Sequence, residues 1–274
     1  MTGETISIEP SSGWAPLRLR ELVRYRELGL FLVWRDLKVR YKQTVLGIGW
    51  ALLQPVLGAL LFSLILGHLV GVPSDGVPYL VFVLVGLVLW NLFSQALVLG
   101  GESVVGLANV ITKLYFPRLL LPIASVLARL VDFAIGVVLL VPVVLIWGHP
   151  LGPRVLLALL FAGLAVLSAL AVTVWISAMN VRYRDFRYVV PFMVQLWLFA
   201  SPVTYPSSLL HGAARIVYAL NPMATAIDGF RWALLGTPAP GLAPLCTSVG
   251  AAALVLVTGL YYFRRLENTL ADFI

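Results

Sequence analysis

The sequence predicts an all-α polytopic membrane protein. Its expected parts are six transmembrane helices, an N-terminal amphipathic interface helix, and re-entrant short helices between the fifth and sixth spans. The chain of 274 residues is 61% hydrophobic and 11% charged, with a mean hydropathy of +0.97, whereas soluble domains carry about 25% charged residues. Apolar stretches long enough to cross a hydrocarbon layer recur along it, and basic residues concentrate in every second connection between them.

Apolar runs of about 20 residues identify the transmembrane helices, because a helix of that length crosses the hydrocarbon layer. The predicted spans are 45–71, 79–100, 119–147, 155–179, 189–203 and 244–263. The first is interrupted by Gln54 and Pro55, and the fifth has only 15 residues. The chain is thereby divided into a polar cytoplasmic N-terminal segment, a transmembrane domain and a cytoplasmic C-terminal tail, predicted at 1–29, 30–265 and 266–274.

Residues 204–243, between the fifth and sixth spans, carry several prolines and glycines and cannot form one long helix. Lipid-exposed irregular backbone would leave polar groups unpaired, so the segment is either an outer loop or a re-entrant element packed against protein. Within it, residues 220–236 indicate a short helix that starts near Asn221 and Pro222 and stops at Gly236. We favour the re-entrant interpretation over an ordinary outer loop.

The distribution of Lys and Arg predicts the orientation, because cytoplasmic segments are enriched in these residues. Eight of the 19 lie before the first span, two after the second, three after the fourth and two after the sixth. The opposite segments hold Arg154, Arg215 and Arg231, while Arg129 lies inside the third span. This 15-to-3 split predicts that both termini are cytoplasmic.

An amphipathic helix at the membrane interface is predicted at 26–43. Its apolar side chains recur at helical spacing and form one stripe, Leu30, Val33, Trp34, Leu37 and Tyr41. Charged residues occupy the other positions, a pattern typical of helices that lie in the interface plane. A plain positively charged anchor is the simpler alternative, and the ordered stripe favours the interface helix.

Three short basic motifs could also indicate nucleic-acid binding: VRYR at 23–26 and 181–184, and VRYK at 39–42. Arginine and tyrosine side chains can neutralise phosphates and stack on bases. The motifs adjoin membrane spans, however, where a nucleic-acid recognition fold has no room. We therefore interpret the three motifs as marks of the cytoplasmic side of the membrane. Membrane lipids, and no nucleic acid, are among the predicted partners of the chain.

The segment 101–118, after the second span, is too apolar for a free cytoplasmic loop. Its apolar residues are Val110, Ile111, Leu114, Tyr115 and Phe116. They indicate docking into the groove of a partner or onto the bilayer surface. Packing on the chain's own domain is the alternative.

Two charged residues, Arg129 and Asp132, lie one helical turn apart inside the third span. Charges within a membrane are costly and usually pair towards the bundle interior. A neutralised pair that fixes helix packing is favoured over a proton relay, because neighbouring spans supply no further carboxylates.

Aromatic residues are abundant in the second and fifth predicted spans and just after the fifth. Ordinary packing is the default interpretation, but rings that face a passage would contact the C–H groups of sugars. The candidates for such a conduit are Phe82, Trp90, Phe93, Trp197, Phe199 and Tyr205.

Several protein classes are excluded by the residues that the sequence lacks. Cys246 is the only cysteine, which excludes a disulfide framework and a cysteine-based zinc site within the chain. The three histidines lack metal-ligand spacing, and no G-x-x-x-x-G-K-[ST] phosphate loop is present. We predict no enzyme, no metal and no cofactor in this chain, so that another polypeptide must bind any ATP.

Four blocks of sequence carry a resemblance to a known family. They are RDLKVRYKQTVLGIGWALLQP (35–55), ITKLYFPRLLLP (111–122), NVRYRDFRYVVPFMVQLWLFASPVTYP (180–206) and LNPM…DGFRWALLG (220–236). In this order they resemble the ABC-2 type permeases that export O-antigen, teichoic acid and related cell-wall polysaccharides. The resemblance runs from about residue 30 to 265 and is less specific for the glycan than for the family.

The resemblance implies a homodimer of six-helix subunits with two copies of a separate ATPase that binds ATP and magnesium. The implied substrate is a polysaccharide on a polyprenyl pyrophosphate carrier, which crosses the bacterial plasma (inner) membrane from the cytoplasm. The first, second and fifth spans are expected to line the conduit. Residues 204–236 resemble the gate helices of these permeases.

The resemblance also implies roles for individual residues. The segment 108–118 resembles the coupling helix that seats on the ATPase, with Asn109, Ile111, Lys113, Leu114, Tyr115, Phe116 and Arg118 as contacts. Basic side chains pair well with phosphate oxygens. Those expected at the pyrophosphate are Arg35, Lys38, Arg40 and Lys42.

Other functions remain open at this point. An ion-coupled secondary transporter would need more intramembrane carboxylates or an inverted repeat. A membrane-embedded enzyme acting on lipid-linked glycans would need acids or histidines that converge on one face. An ABC-2 exporter of another lipid or of a small molecule also fits the resemblance.

Overall fold

The computed structural model describes residues 19–42, 47–108, 116–150, 152–183 and 185–267. In these ranges the chain is helical and contains no strand, which confirms the all-α class. The helices are α1 (Leu19–Arg24), α2 (Arg26–Tyr41), α3 (Gly49–Phe62), α4 (Tyr79–Glu102), α5 (Leu120–Ile146), α6 (Val155–Arg182), α7 (Phe186–Phe199), α8 (Ala213–Tyr218), α9 (Pro222–Leu235) and α10 (Leu242–Glu267). A π-helix, Ser63–Val70, continues α3.

Five helices of the described chain are long and apolar enough to cross a membrane: Gly49–Val70, α4, α5, α6 and α10. The helix at the predicted fifth span, α7, begins at Phe186 and ends after 14 residues at Phe199, earlier than expected. Pro202 follows closely, and a proline disfavours helix in the residue before it. A membrane crossing at the predicted fifth span, and with it the total of six spans, therefore stays a prediction.

The centre of the bundle is α4. Its most apolar stretch is 83% buried inside the chain, compared with 11% for Gly49–Val70 and 22% for α5 and α10. It is surrounded by α3, α5, α6, α7 and α9. The other long helices, α3, α5, α6 and α10, leave apolar outer faces uncovered, as expected of helices that meet lipid or another subunit.

Segments predicted on the cytoplasmic side meet at one end of the bundle, called the basic end below. Glu102 at the end of α4 pairs with Arg187 of α7 at 3.2 Å. Arg118, before α5, bonds to Glu267 at the end of α10. The N-terminal α2 packs against α5 at this end, with Leu32 buried. The predicted alternation of the connecting segments therefore agrees with the way the helices pack.

The apolar stripe predicted for α2 is divided between two environments. Val33, Leu37 and Tyr41 are half-buried towards the bundle, whereas Leu30 and Trp34 are 66% and 63% exposed. One side of the helix thus packs against the bundle, and the other side is exposed and can contact a membrane surface. Its position in the membrane interface remains a prediction.

Between α7 and α10 the chain reaches the opposite end of the bundle, turns back and returns. Ser208 bonds to Asp75 of the α3–α4 connection at 2.7 Å, which places it at that end. After α8, the side chain of Asn221 donates to the carbonyl oxygen of Ala200 at 3.2 Å, level with the end of α7. Helix α9 then leads back to the start of α10. Thus α8 runs away from the opposite end of the bundle, and α9 returns towards it.

The short helix expected at 220–236 is present as α9. The side chain of Asn221 accepts a hydrogen bond from the backbone of Met223 at 3.2 Å, and Pro222 is the first helical residue. Gly236 ends the helix with a φ of 75°, in the left-handed region that favours glycine. Local capping signals were sufficient to predict both ends.

Candidate functional site

A cavity of about 700 Å³ lies at the basic end between α2, α3, α4 and α5. Its volume falls in the range of small-molecule binding sites, about 300–1,000 Å³. The charged and amide residues on its wall are Arg35, Asp36, Arg40, Gln54, Gln95, Glu102 and Arg129. The cavity therefore combines three arginines, two carboxylates and two amide side chains from four helices.

The carboxylate of Asp132 joins α2 to α5 at the inner end of this cavity. Arg40 and Arg129 each place a terminal guanidinium nitrogen 3.2 Å from its Oδ2 atom, and the Tyr41 hydroxyl donates to Oδ1. Burial and the hydrogen bond to Asp132 raise the pKa of Tyr41 to about 12, so its hydroxyl remains a donor at neutral pH. The predicted pairing of Arg129 with Asp132 is thus present, but two more residues share it.

Positive charge exceeds negative charge at this inner end. Arg40 and Arg129 share the single carboxylate of Asp132, whereas Asp36 and Glu102 each have an arginine of their own. The side chain of Arg129 is only 3% exposed, and its Nε atom has no acceptor in the part of the chain that the structure describes. A desolvated cation with an unused donor is a feature that attracts an anion.

The basic residues predicted at the pyrophosphate fall into two groups. Arg35 and Arg40 line the cavity, whereas Lys38 and Lys42 are exposed on the surface of the protein. Sequence reasoning did not assign Gln54 to the site. A polar side chain inside an apolar span is the signal that could have found it.

The predicted coupling contacts lie only partly within the described residues. Those outside them are Asn109, Ile111, Lys113, Leu114 and Tyr115. Phe116 is 6% exposed and belongs to a small core with Leu32 and Phe263. Arg118 donates its backbone N–H and its guanidinium to Glu267, at 3.2 and 2.9 Å. Phe116 and Arg118 therefore contact helices of their own chain. This agrees with the alternative interpretation, in which the segment packs on the chain's own domain.

Most of the aromatic residues proposed for a conduit pack inside the chain. Phe82, Trp90 and Phe93 are 1%, 4% and 0% exposed. The partly buried Trp197 meets the edge of Phe93 with ring centres 5.1 Å apart, and the Tyr205 hydroxyl donates to the backbone at the end of α7 at 2.9 Å. In a single chain these five rings have the ordinary packing role.

An exposed aromatic face is present instead on α7. Tyr188, Phe192 and Phe199 are 78%, 59% and 59% exposed, with Leu196 between them at 51%. Their spacing of i, i+4, i+8 and i+11 places them on one side of the helix. Of these, only Phe199 was among the predicted conduit residues, and helical spacing was the signal that could have found the others.

Arg231 joins α9, α4 and the turn after α7 near the opposite end of the bundle. Its Nε donates to the carbonyl of Phe82 at 2.9 Å, and its terminal nitrogens donate to the carbonyls of Pro202 and Val203 at 2.5 Å. The guanidinium carbon lies 3.5 Å from the centre of the Phe82 ring, a cation–π contact. Sequence reasoning counted Arg231 only as an outer basic residue, because these partners are remote in sequence.

The apolar helices and the charged cavity at one end define a multi-pass membrane protein with a potential substrate site between its helices. The ABC-2 type transporter family model matches residues 28–235, and the chain belongs to that family. Members are the membrane subunits of transporters and not enzymes, and membership implies an ABC ATPase as a partner.

Three curated relatives have the same description. The O-antigen export system permease protein RfbA of Myxococcus xanthus is 29% identical over 253 residues, which cover 91% of this chain and 96% of the relative. Two proteins of that name from Klebsiella pneumoniae are each 26% identical. One match covers 87% of this chain and 91% of the relative, and the other covers 72% and 76%. For the first two relatives the similarity therefore extends over nearly the full length of both proteins, and for the third over about three quarters.

Proposed function

We propose that this chain is the transmembrane subunit of an ATP-driven exporter of O-antigen-type polysaccharide linked to polyprenyl pyrophosphate. The observation that carries the proposal is the similarity to an O-antigen export permease along 91% of the chain. The cavity adds chemical support, because a pyrophosphate requires cationic donors and Arg35 and Arg40 line the cavity wall.

The proposed assembly contains two copies of this chain and two ATPase subunits in the bacterial plasma membrane. Both termini are cytoplasmic, which the 15-to-3 distribution of basic residues supports. The six spans include α7 as the fifth, and α8 and α9 form the re-entrant gate. The exposed aromatic face of α7 and the uncovered face of Gly49–Val70 are the surfaces that line the conduit.

In the proposed mechanism, ATP closes the two ATPase subunits and the coupling segment 108–118 passes their motion to the permease. The contacts of Phe116 and Arg118 provide a route for this motion. Phe116 packs in the core that includes Leu32 of α2, and Arg118 is bonded to the end of α10. Movement of the segment would therefore reach the helix that carries two of the cavity arginines.

Charge introduced into the coupling segment is expected to separate the permease from its ATPase. We expect Leu114→Glu and Tyr115→Glu to reduce ATPase recovered with the purified permease by about tenfold or more, the usual effect of losing an apolar interface anchor. The measurement is the ratio of the two subunits after affinity purification. Phe116 is unsuitable for this test, because its burial means that a charge there would disturb the permease itself.

The matched control is Leu209→Glu, an equally large change at an exposed residue near the opposite end. It should leave the subunit ratio unchanged. If the variants at residues 114 and 115 recover as much ATPase as the control, the coupling assignment is wrong.

The proposed function is tested with the permease–ATPase complex reconstituted into sealed vesicles. Lipid-linked O-antigen polysaccharide should cross the membrane only when ATP is hydrolysed, and a protonophore should leave its transport unchanged. Transport that stops with the protonophore and proceeds without ATP would instead identify an ion-coupled transporter. Mass spectrometry of lipid that co-purifies with the complex identifies the substrate: finding only small lipids without glycan would contradict the polysaccharide assignment.

A further inference from the structure

We propose that Arg129, inside α5, forms a phosphate-binding site with Arg40, Gln54 and Gln95 at the inner end of the cavity. This inference rests on the proposed function, in which the phosphate belongs to the pyrophosphate of the lipid carrier. It extends the headgroup contacts from the N-terminal helix to a residue within a membrane span. The headgroup would then enter the helix bundle and not stop at the interface.

The first argument is the unbalanced charge. Arg40 and Arg129 approach the same oxygen of Asp132, both at 3.2 Å, so one carboxylate faces two guanidinium groups. The neighbouring Asp36 and Glu102 are engaged with other arginines at 2.6 and 3.2 Å. A net positive charge between apolar helices is costly, and a bound phosphate would neutralise it.

The second argument is the unused hydrogen-bonding capacity of Arg129. A guanidinium has five N–H donors, and the only acceptor recorded for that of Arg129, within the described part of the chain, is Asp132. Its Nε is buried without a partner, although leaving a buried donor unpaired is unfavourable. If Arg129 served only to neutralise Asp132, neither this unpaired donor nor the second arginine would be needed.

The third argument is the position of the amide side chains. Gln54 of α3 and Gln95 of α4 line the 700 Å³ cavity and also a smaller hollow of about 20 Å³ behind it. Arg40 and Arg129 line both spaces as well. The four side chains thus come from four different helices and surround one region. Amide N–H groups add neutral donors to the charge-assisted bonds that arginines form with phosphate.

The site makes predictions of opposite sign for the two charged residues of α5. Arg129→Gln leaves Arg40 and Asp132 as a balanced pair, so the protein should assemble, but it removes a cationic phosphate ligand. Asp132→Asn removes the anion that competes with phosphate for both arginines. We expect the dissociation constant for polyprenyl pyrophosphate to rise about tenfold or more in Arg129→Gln and to fall in Asp132→Asn.

The experiment uses the complete permease–ATPase complex in nanodiscs of zwitterionic lipid, titrated with polyprenyl pyrophosphate and followed by microscale thermophoresis. Arg154→Gln, an exposed arginine at the other end of the bundle, is the matched control and should bind as the wild type does. Inorganic pyrophosphate is expected to compete with the carrier. Phosphatidylglycerol added to the nanodiscs is not expected to compete.

Three results would overturn the inference. The first is wild-type affinity in Arg129→Gln, and the second is equal weakening in Asp132→Asn, which would indicate a packing role for both residues. The third is competition by phosphatidylglycerol that depends on Arg129, which would assign the site to bulk anionic lipid. If Arg129→Gln does not assemble, the dissociation constant of Asp132→Asn tests the inference: a lower value than that of the wild type supports the site, and an equal or higher value contradicts it. A wild-type complex that does not bind the carrier at all would instead contradict the proposed function.

Discussion

Replacement of Arg231 by methionine is expected to prevent the permease from accumulating in folded form. Arg231 is 1% exposed and donates to three backbone carbonyls, those of Phe82, Pro202 and Val203. Methionine fills a similar volume but leaves the carbonyls of Pro202 and Val203, which lie after α7, without these donors, at about 1–3 kcal/mol for each buried group. The carbonyl of Phe82 lies inside α4 and keeps its bond within that helix. The combined loss of about 2–6 kcal/mol reaches the lower end of the free energy of unfolding of a typical protein, about 5–15 kcal/mol.

The measurement is the yield and the size-exclusion profile of the detergent-extracted protein, together with its Tm. Arg215→Met is the matched control, because Arg215 is more exposed and its one recorded backbone contact, to Ala239, is long at 3.3 Å. Arg231→Lys should be intermediate, since an ammonium group cannot reproduce the planar fork of a guanidinium. A yield and Tm for Arg231→Met equal to those of the control would show that the three carbonyl contacts are dispensable.

The second large effect is expected at Gly229, where α9 crosses α6. A Cβ atom added there would overlap the ring of Phe161, well inside van der Waals contact. The ring has little room to move, because Phe161 is 4% exposed and packs edge-on against Trp232 with centres 6.3 Å apart. Forcing an extra carbon into such a contact costs about 1–3 kcal/mol or more, so Gly229→Ala should lower the Tm markedly.

A matched control and a suppressor make this prediction specific. Gly163 lies on α6 two residues from Phe161, and a Cβ there would meet nothing within 4 Å, so Gly163→Ala should leave the Tm close to that of the wild type. Phe161→Leu should restore part of the Tm when combined with Gly229→Ala, because the smaller side chain frees the space. Failure of the second substitution to suppress the first would place the damage elsewhere.

Features set by neighbouring residues were predictable from the sequence, and features set by distant ones were not. Asn221, Pro222 and Gly236 act within their own helix, so both ends of α9 could be predicted. Arg231 depends on carbonyls 28 to 149 residues away, which no local pattern encodes. For the same reason Phe116 was taken for a surface residue although it is buried.

The candidate site shows the same division. Arg35 and Arg40 were recognisable as cations beside a span, and both reach the cavity. Lys38 and Lys42 have the same chemistry but lie on other faces of the chain, which only the packing of α2 on α5 determines. The excess of positive charge around Asp132 was also beyond prediction, because it arises where α2 approaches α5.

The central position of α4 limits where a large polymer can travel. This helix is covered by five others of its own chain, and the cavity beside it lies at one end of the bundle, so a sugar chain that crossed one subunit would have to displace packed side chains. We therefore expect the polysaccharide to run along the outer surface of the bundle, which in a single copy is open on one side. In the proposed dimer, the second copy supplies the facing surface, and the polysaccharide passes between two bundles, each with an α4 at its centre.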